Sequence, residues 1–174
     1  MQHFSREYWV ETLQLEPHPE GGFFHETYRS DETLRPEVLP ERFKGPRNLG
    51  TAIYFMLTAG NFSAFHRLEA DEIWHFHDGD VLEVHFIHPN GHYERHLVGM
   101  KPDEGAFPQL VIPRHVWFAA QTLGRKEEDG FSLIGCTVAP GFDFEDFELA
   151  ERKKLLDQFP DHTSLIERFT RANV

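Results

Sequence analysis

Short apolar segments, separated at regular intervals by glycine, proline and asparagine, run through most of the chain. Aromatic residues favour pleated sheets and barrel interiors, and the chain holds 17 phenylalanines. About nine or ten short strands with turn signals between them predict an all-β fold of the jelly-roll barrel type. The predicted strands are Phe23–Tyr28, Gly50–Thr58, the two arms of a hairpin within Gly60–Gly79, Val81–Pro89, Tyr93–Val98, Gln109–Pro113, Trp117–Thr122 and Phe131–Val138.

Short helices are predicted at both ends of this barrel. Ser5 can cap an N-terminal helix, and residues 147–172 form a predicted C-terminal helical segment. At 174 residues the chain is expected to form one domain, residues 1–174, with the barrel core at about 20–140.

Two connections are longer or more charged than the other turns. Residues 30–48 are polar, contain three prolines and have no clear hydrophobic period, so they predict a long surface connection. A plain loop is favoured there over a lid or an interface arm, because connecting segments usually run over the surface. Residues Gly124–Gly130 predict a tight, charged loop between two strands.

The charge balance argues against two classes of partner. Lysine and arginine number 17 against 29 aspartates and glutamates, which gives a net charge of −12. This composition supplies no basic surface for a nucleic-acid backbone or an anionic membrane. Cys136 is the only cysteine, so no internal disulfide can form, and the sequence shows neither a signal peptide nor a membrane-spanning run. A cytoplasmic protein without nucleic-acid or membrane partners is predicted.

The segment Gly60–Gly79 concentrates groups that can bind a metal or transfer a proton. Within it, a span of twelve residues contains His66, Glu72, His75 and His77. Alternating apolar and polar residues predict a strand, a turn at 69–71 and a second strand. Because alternate residues share a face and a bulge reverses that parity, two inward-facing sets are open. They are His66, Glu72 and Trp74, which we favour, or His66, His75 and His77.

The spacing in this segment resembles the first signature of the cupin superfamily, in which glycines, histidines and a glutamate stand at set intervals. The matching positions are Gly60, His66, Glu72 and Gly79, whereas Leu68 replaces the second histidine. The second cupin signature resembles residues 105–122, where Gly105 and Pro113 match and where His115, Phe118 and Thr122 replace a glycine, a histidine and an asparagine. Two of the four metal-ligand positions of the superfamily therefore hold apolar side chains.

Five longer motifs resemble one branch of the cupins, the single-domain proteins of domain of unknown function 985. They are PHPEGGFFHETYRS at 17–30, TAIYFMLTAG at 51–60, DEIWHFHDGD at 71–80, PQLVIPRHVWFAA at 108–120 and GCTVAPGFDFEDFELA at 135–150. The resemblance implies a double-stranded β-helix, the cupin barrel, and pairing into a homodimer. It implies no reaction. More distantly, the chain is similar to cupins that epimerise nucleotide sugars without a metal.

The favoured hypothesis is a metal-independent isomerase or epimerase that binds a carbohydrate-like small molecule in the barrel. His66 is the predicted base, with Glu72 orienting or charging it, and Tyr54 or Tyr28 is the predicted acid. A histidine with a carboxylate neighbour supplies a base that titrates near neutral pH inside a shielded pocket. The predicted pocket residues are Trp74, Phe76, His75, His77, Trp117 and Phe118. No cofactor is expected under this hypothesis.

Two other functions remain open. A metal-dependent oxygenase or isomerase would hold a divalent metal with His66, Glu72 and His77, or with His75 or His115 in place of His77. A binding or sensing protein would hold a ligand in the barrel without catalysis. A thermal-shift screen separates this third hypothesis from the first two, because it expects ligand stabilisation without product.

Each candidate residue also has a purely structural explanation. His66 and Glu72 can be a hydrogen-bonded pair in the core, because buried ionisable groups need partners. Bulky aromatic side chains fill small barrels whether or not a ligand binds. Cys136 lies in an apolar strand without an adjacent base and is expected in the core, and Arg29 is expected in a surface ion pair.

Overall fold

Two six-stranded sheets face each other and enclose the main core of the protein. The computed structural model describes residues 4–125 and 129–171. Its strands are β1 Glu16–Pro17, β2 Phe23–Arg29, β3 Thr33–Leu34, β4 Arg47–Asn48, β5 Thr51–Thr58, β6 Ser63–Leu68, β7 Asp71–Gly79, β8 Leu82–Ile87, β9 Tyr93–Val98, β10 Ala106–Phe107, β11 Gln109–Ile112, β12 Trp117–Thr122, β13 Phe131–Ala139 and β14 Phe147–Leu149. Its helices are α1 Arg6–Thr12, α2 Arg152–Gln158 and α3 Thr163–Arg168. Positions 126–128 of the predicted charged loop and position 172 of the predicted helical segment lie outside the described residues.

The strand order is that of a double-stranded β-helix. The first sheet has the order β1-β2-β5-β13-β7-β11, and the second has the order β10-β9-β8-β12-β6-β14. The chain passes from the first sheet at β5 to the second at β6 and back to the first at β7, so successive strands wind around a common interior. This arrangement confirms the predicted jelly-roll barrel.

The core forms where alternate residues of both sheets point inward. In β5, Phe55 and Leu57 face the interior, whereas Met56 packs on the outside with Phe131 and Leu133. This strand is apolar on both faces because α1 covers its outer side. The remaining inward residues are Trp74, Leu82, Val84, Phe86, Val98, Ile112, Val116, Phe118, Ala120, Ile134 and Cys136.

The terminal helices cover the outer faces of the two sheets. The Ser5 side chain accepts a hydrogen bond from the backbone amide of Tyr8 at 3.2 Å, which confirms it as the cap of α1. Residues of α2 and α3, including Leu155 and Ile166, pack with Phe65 on the outer face of the second sheet. Within the described ranges, no helix has the length and apolarity needed to cross a membrane.

Two predicted segments differ in detail. Residues 147–149 are not helical: they form β14, which pairs with the edge of β6, so the helical segment starts at Arg152. The connection 30–48 is more than a plain loop, because it contains the two-stranded sheet of β3 and β4. It is anchored by buried Arg47, whose Nε and Nη2 donate to the carboxylate of Asp146 at 2.6 and 2.7 Å.

Candidate functional site

A cavity of about 220 Å³ opens between the two sheets. This volume is small beside the roughly 300–1,000 Å³ of drug-sized pockets, so it suits a ligand of fewer atoms. Its walls are mostly aromatic and aliphatic, with a few ionisable groups at defined points. The lining residues are His18, Glu20, Phe24, Glu26, Arg29, Thr51, Ile53, Phe55, His66, Leu68, Glu72, Trp74, Cys136, Val138, Phe142, Asp143, Phe144 and Phe147.

A tight turn before β2 carries Glu20 into the cavity wall. Gly21 and Gly22 follow it with φ of +116° and +76°, a region that favours glycine. A Cβ on Gly21 would lie 2.1 Å from the carbonyl oxygen of Phe62, so only glycine allows this close approach. The carbonyl of Glu20 accepts a hydrogen bond from the amide of Ala64 at 2.9 Å, which fixes the turn against β6.

Glu20 and His66 form a buried contact at the inner end of the cavity. The Nε2 atom of His66 lies 3.0 Å from Oε2 of Glu20, and the two side chains are only 3% and 7% exposed. The hydroxyl of Ser63 donates to the other carboxyl oxygen of Glu20 at 2.9 Å. Every polar atom of this pair therefore has a partner in the wall.

The hydrogen bonds of His66 define how protons are arranged in this pair. Its Nδ1 lies 2.7 Å from the carbonyl oxygen of Ala64, and because a carbonyl only accepts, Nδ1 carries a proton. Nε2 and the carboxyl of Glu20 then share one further proton. Burial raises the pKa of Glu20 well above its ordinary value and lowers the pKa of His66 to about 3. The pair is thus a neutral carboxylic acid that donates to a neutral imidazole.

Glu72 faces the same cavity from the opposite sheet. It lies on β7, whereas His66 lies on β6, and the sharp turn between these strands brings both into one pocket. Burial raises the pKa of Glu72 to about 7, and the nearby Trp74 indole and Cys136 thiol limit the rise. The indole N–H of Trp74 is buried without a partner in hydrogen-bond geometry among the described residues. Glu72 is the carboxyl of this site that titrates near neutral pH.

His18 completes the inner cluster. Its Nδ1 accepts a hydrogen bond from the backbone amide of Glu20 at 3.3 Å and lies 3.5 Å from that residue's carboxyl. Its ring packs against aromatic side chains, including Phe24 at 4.7 Å between ring centroids. Burial lowers the pKa of His18 to about 4, so its imidazole is neutral near pH 7.

Three of the predicted site residues line this cavity. His66, Glu72 and Trp74 all point inward, which selects the favoured one of the two predicted sets. Phe118 and Phe76 belong to the core behind the cavity wall and are not part of its lining. Phe118 supports the site directly, because its ring lies 4.0 Å from that of His66.

The two predicted tyrosine acids do not reach the cavity. Tyr54 lies on the outer face of β5 and packs against the ring of His77 at 5.6 Å. Tyr28 would follow Phe24 and Glu26 to the inside by strand alternation, but the register shifts between Glu26 and Tyr28. This bulge turns Tyr28 to solvent, where it is 55% exposed.

The predicted pocket residues His75, His77 and Trp117 also lie outside the cavity. His75 is on the outer face of the first sheet, with Nε2 3.3 Å from the hydroxyl of Thr137. His77 shares that outer face beside Gly135. Trp117 neighbours Phe118 in sequence and so faces the other side, where it packs beneath the C-terminal helices.

The donor set of the cavity does not fit the metal that the cupin signatures imply. Both nitrogens of His66 are already engaged, and Leu68 and Phe118 stand at two ligand positions. His77 points away from Glu72, and half-exposed His115 faces Glu69 at 3.6 Å. In the described ranges, no three histidine, cysteine or acidic side chains are placed to share a metal ion.

Sequence reasoning missed Glu20 and His18 and gave His66 the wrong partner. Glu72 makes no ion pair with His66 in the described part of the chain, whereas Glu20 contacts His66 directly. The available signal was an acidic residue between a proline and two glycines, in a motif that also carried the family resemblance.

Cys136 was expected in the core, and it is buried, but it also lines the cavity beside Glu72, where burial raises the pKa of its thiol. Arg29 forms the expected ion pair with Glu26 at 2.7 Å, at the cavity mouth.

Known proteins resemble this chain over most of its length. The family model described as Cupin superfamily (DUF985) matches residues 7–150. The uncharacterized protein YML079W of Saccharomyces cerevisiae is 34% identical over 143 residues, or 79% of this chain and 71% of the yeast protein. The crystal structure of protein SO0799 from Shewanella oneidensis has 37% identity and a TM-score of 0.85, covering 98% of this chain and 99% of that one. A hypothetical protein from Leishmania major has 34% identity and a TM-score of 0.87, covering 96% and 99%.

Proposed function

The chain belongs to the DUF985 family of the cupin superfamily, as its motifs predicted, and from this premise and its cavity we propose a metal-independent isomerase or epimerase. Its substrate is a small carbohydrate-like carbonyl compound. One observation carries the proposal: Glu72, with a pKa of about 7, faces the Glu20–His66 pair across a single shielded cavity. Enzyme sites that transfer protons typically hold two acid–base groups whose different environments give them different pKa values.

The proposed reaction begins with ionised Glu72. Its carboxylate removes a proton from the carbon next to the substrate carbonyl, and the Glu20–His66 pair gives its shared proton to the carbonyl oxygen. The product of this step is an enediol, with Glu72 protonated and Glu20 ionised. This assignment differs from the one made from sequence, because an imidazole with a pKa of about 3 is a poor base and Glu72 titrates where the enzyme works.

The second half of the reaction returns both protons. In an isomerisation, Glu72 gives its proton to the neighbouring carbon while the pair recovers a proton from the substrate hydroxyl. In an epimerisation, the pair takes back the proton of the enediol hydroxyl and delivers it to the original carbon from the opposite wall, and Glu72 then returns its own proton to Glu20 through solvent. Glu72 and His66 lie on different sheets, which supports delivery from two sides of a flat enediol.

Solvent deuterium incorporation tests this proposal. The wild-type protein, incubated in D₂O with a panel of free aldoses and ketoses, is expected to introduce deuterium next to the carbonyl, as seen by ¹H NMR. Glu72→Gln should abolish the exchange. Glu94→Gln is the matched control, because Glu94 is a histidine-bound carboxylate on the β8–β9 hairpin, outside the cavity lining. A ligand that stabilises the wild type without any exchange would contradict catalysis and favour a binding protein.

A further inference from the structure

The cavity lining carries far more acidic than basic groups. Its described residues include four carboxyls, those of Glu20, Glu26, Glu72 and Asp143, against the single guanidinium of Arg29. The two lining histidines, which burial keeps neutral near pH 7, add no positive charge. An anionic ligand would therefore meet only one formal positive charge in the described lining.

That one positive charge is already used. Nε and Nη2 of Arg29 donate to the carboxylate of Glu26 at 3.0 and 2.7 Å. Its Nη1 donates to the side-chain oxygen of Asn48 at 2.9 Å and to the carbonyl of Phe142 at 3.0 Å. The planar fork that would grip a phosphate or carboxylate is thus occupied by a carboxylate of the protein itself. Asp143 adds a further negative charge near Arg29.

The inner end of the cavity disfavours an anion as well. Glu72 is buried there, and a negative charge beside its ionised form would add like-charge repulsion to the cost of desolvation. The surrounding wall is aromatic and aliphatic, with Phe24, Phe55 and Trp74 among its members. Such faces suit the C–H surface of a neutral ring, and the carboxyls suit its hydroxyl groups.

We infer that the cavity takes an uncharged carbonyl compound, such as a free sugar, and rejects the phosphorylated and carboxylated forms of the same compound. This inference rests on the proposed function for the carbonyl and on the charge distribution of the lining for the selection against anions. It makes Glu26 a specificity-determining residue, because its carboxylate withholds Arg29 from an anionic substrate.

Paired ligands test the selection in the wild-type protein. Glucose, galactose, mannose and fructose are each compared with their 6-phosphates, and glucose and galactose also with their uronates, by thermal shift and isothermal calorimetry. We expect the neutral members to stabilise the fold and the charged members to bind about tenfold more weakly or not at all, because like charges across an interface oppose binding. Millimolar concentrations are used, so that weak affinities are included.

Glu26→Gln is expected to increase the affinity for the 6-phosphates, a result that a folding defect in the variant could not produce. Removing this carboxylate frees the charge of Arg29, so the 6-phosphates should bind the variant more tightly than they bind the wild type. Glu148→Gln is the matched control, because Glu148 also accepts from an arginine, Arg67 at 2.7 Å, but lies outside the cavity lining. This control should leave both classes of ligand unchanged.

Two results would overturn the inference. One is equal or tighter binding of the phosphates by the wild type, and the other is a panel in which no neutral sugar binds. Failure of the proposed reaction gives a different result: neutral sugars bind selectively, but no deuterium enters them. In that case the ligand class stands and the isomerase assignment falls.

Discussion

Two clusters of histidine and glutamate have similar contact distances and different surroundings. In the cavity, His66 lies 3.0 Å from Glu20, and the two side chains are 3% and 7% exposed. On the β8–β9 hairpin, His88 and His96 lie 2.9 and 2.8 Å from the carboxylate of Glu94, with exposures of 25% and 31% against 36% for Glu94. The geometry of a single contact therefore does not separate the two clusters.

Burial separates them. In the cavity it raises the pKa of Glu20, so the acid stays protonated. On the hairpin, desolvation raises the pKa of Glu94, but the hydrogen bond of His96 and the contacts of the nearby imidazoles together outweigh it, so the pKa is lowered. The same residue types thus give a neutral, proton-sharing pair inside and, outside, a glutamate whose carboxylate form is stabilised. The protonation state therefore follows from the environment of a contact and not from its length.

The largest expected effect is on turnover. Glu20→Gln removes the shared proton and His66→Gln removes the imidazole that shares it, and general acid–base groups contribute roughly 10²–10⁴-fold to rate. We expect deuterium exchange to fall by that factor in both variants. His88→Gln, which alters the outer cluster in the same way, should leave the rate unchanged. A comparable loss in His88→Gln would erase the functional difference between the two clusters.

The next effect is a pH dependence of stability that Glu72 introduces. Its pKa is raised from 4.5 to about 7, so between these values the folded state binds more protons than the unfolded state. Its contribution to the free energy of unfolding is therefore complete below pH 4.5 and is lost as the pH rises through 7. Relative to Glu72→Gln, the wild type should lose on the order of 3 kcal/mol across this window.

Urea unfolding of both proteins at several pH values measures this difference. His66 and His18 act in the opposite direction, because their pKa values are lower in the folded state than the unperturbed value of 6.5. Below pH 6.5 the unfolded state therefore binds more protons at these histidines, and the free energy of unfolding decreases as the pH falls. Since both histidines are present in wild type and in Glu72→Gln, their contribution cancels in the comparison. A constant difference from pH 4.5 to pH 8 would contradict the raised pKa of Glu72.

A third effect concerns the stability of the two clusters themselves. Glu20→Ala leaves the buried Ser63 hydroxyl without its acceptor and His66 Nε2 without its proton donor, which should cost about 2–4 kcal/mol. Glu94→Ala breaks only partly solvated contacts and should cost about 1 kcal/mol or less. Glu20→Gln is the sharper variant: because Glu20 is already neutral, the amide should replace it at a cost of about 1 kcal/mol. A loss as large as that of Glu20→Ala would show that the carboxyl is ionised.

The smallest effect is expected on the outer face of the first sheet. His77 is an exposed residue next to Tyr54 and lies on the opposite face of β7 from Glu72. His77→Ala should change the free energy of unfolding by about 0.5 kcal/mol and leave deuterium exchange intact. Loss of exchange in this variant would return His77 to the site, as the metal-dependent hypothesis required.

The sequence was sufficient for the barrel and, with the family resemblance, for the inward face of β7. Alternation alone left two inward-facing sets open there, and the cupin register favoured the set in which Glu72 and Trp74 face inward with His66. Alternation fails where a strand is apolar on both sides, as in β5, because the pattern does not tell Tyr54 from Phe55. It also fails at a bulge, which is why Tyr28 was expected inside.

Glu20 illustrates a different limit. It lies in a turn, and proline and glycine around it indicate where the chain bends but not where a side chain points. Only the packing of that turn against Ala64 brings its carboxyl to His66. The partner of a buried histidine can therefore come from a segment more than forty residues away, where no local sequence pattern indicates the contact.

The central claim is that the cavity holds a carboxyl that titrates near neutral pH beside one that stays protonated. Carboxyl ¹³C chemical shifts measured by NMR from pH 4 to pH 9, with Glu72→Gln and Glu20→Gln to assign the two signals, test it directly. The expected result is a midpoint near pH 7 for Glu72 and a protonated shift for Glu20 throughout that transition. If both signals instead titrate near the ordinary value of 4.5, the cavity is not the acid–base site described above.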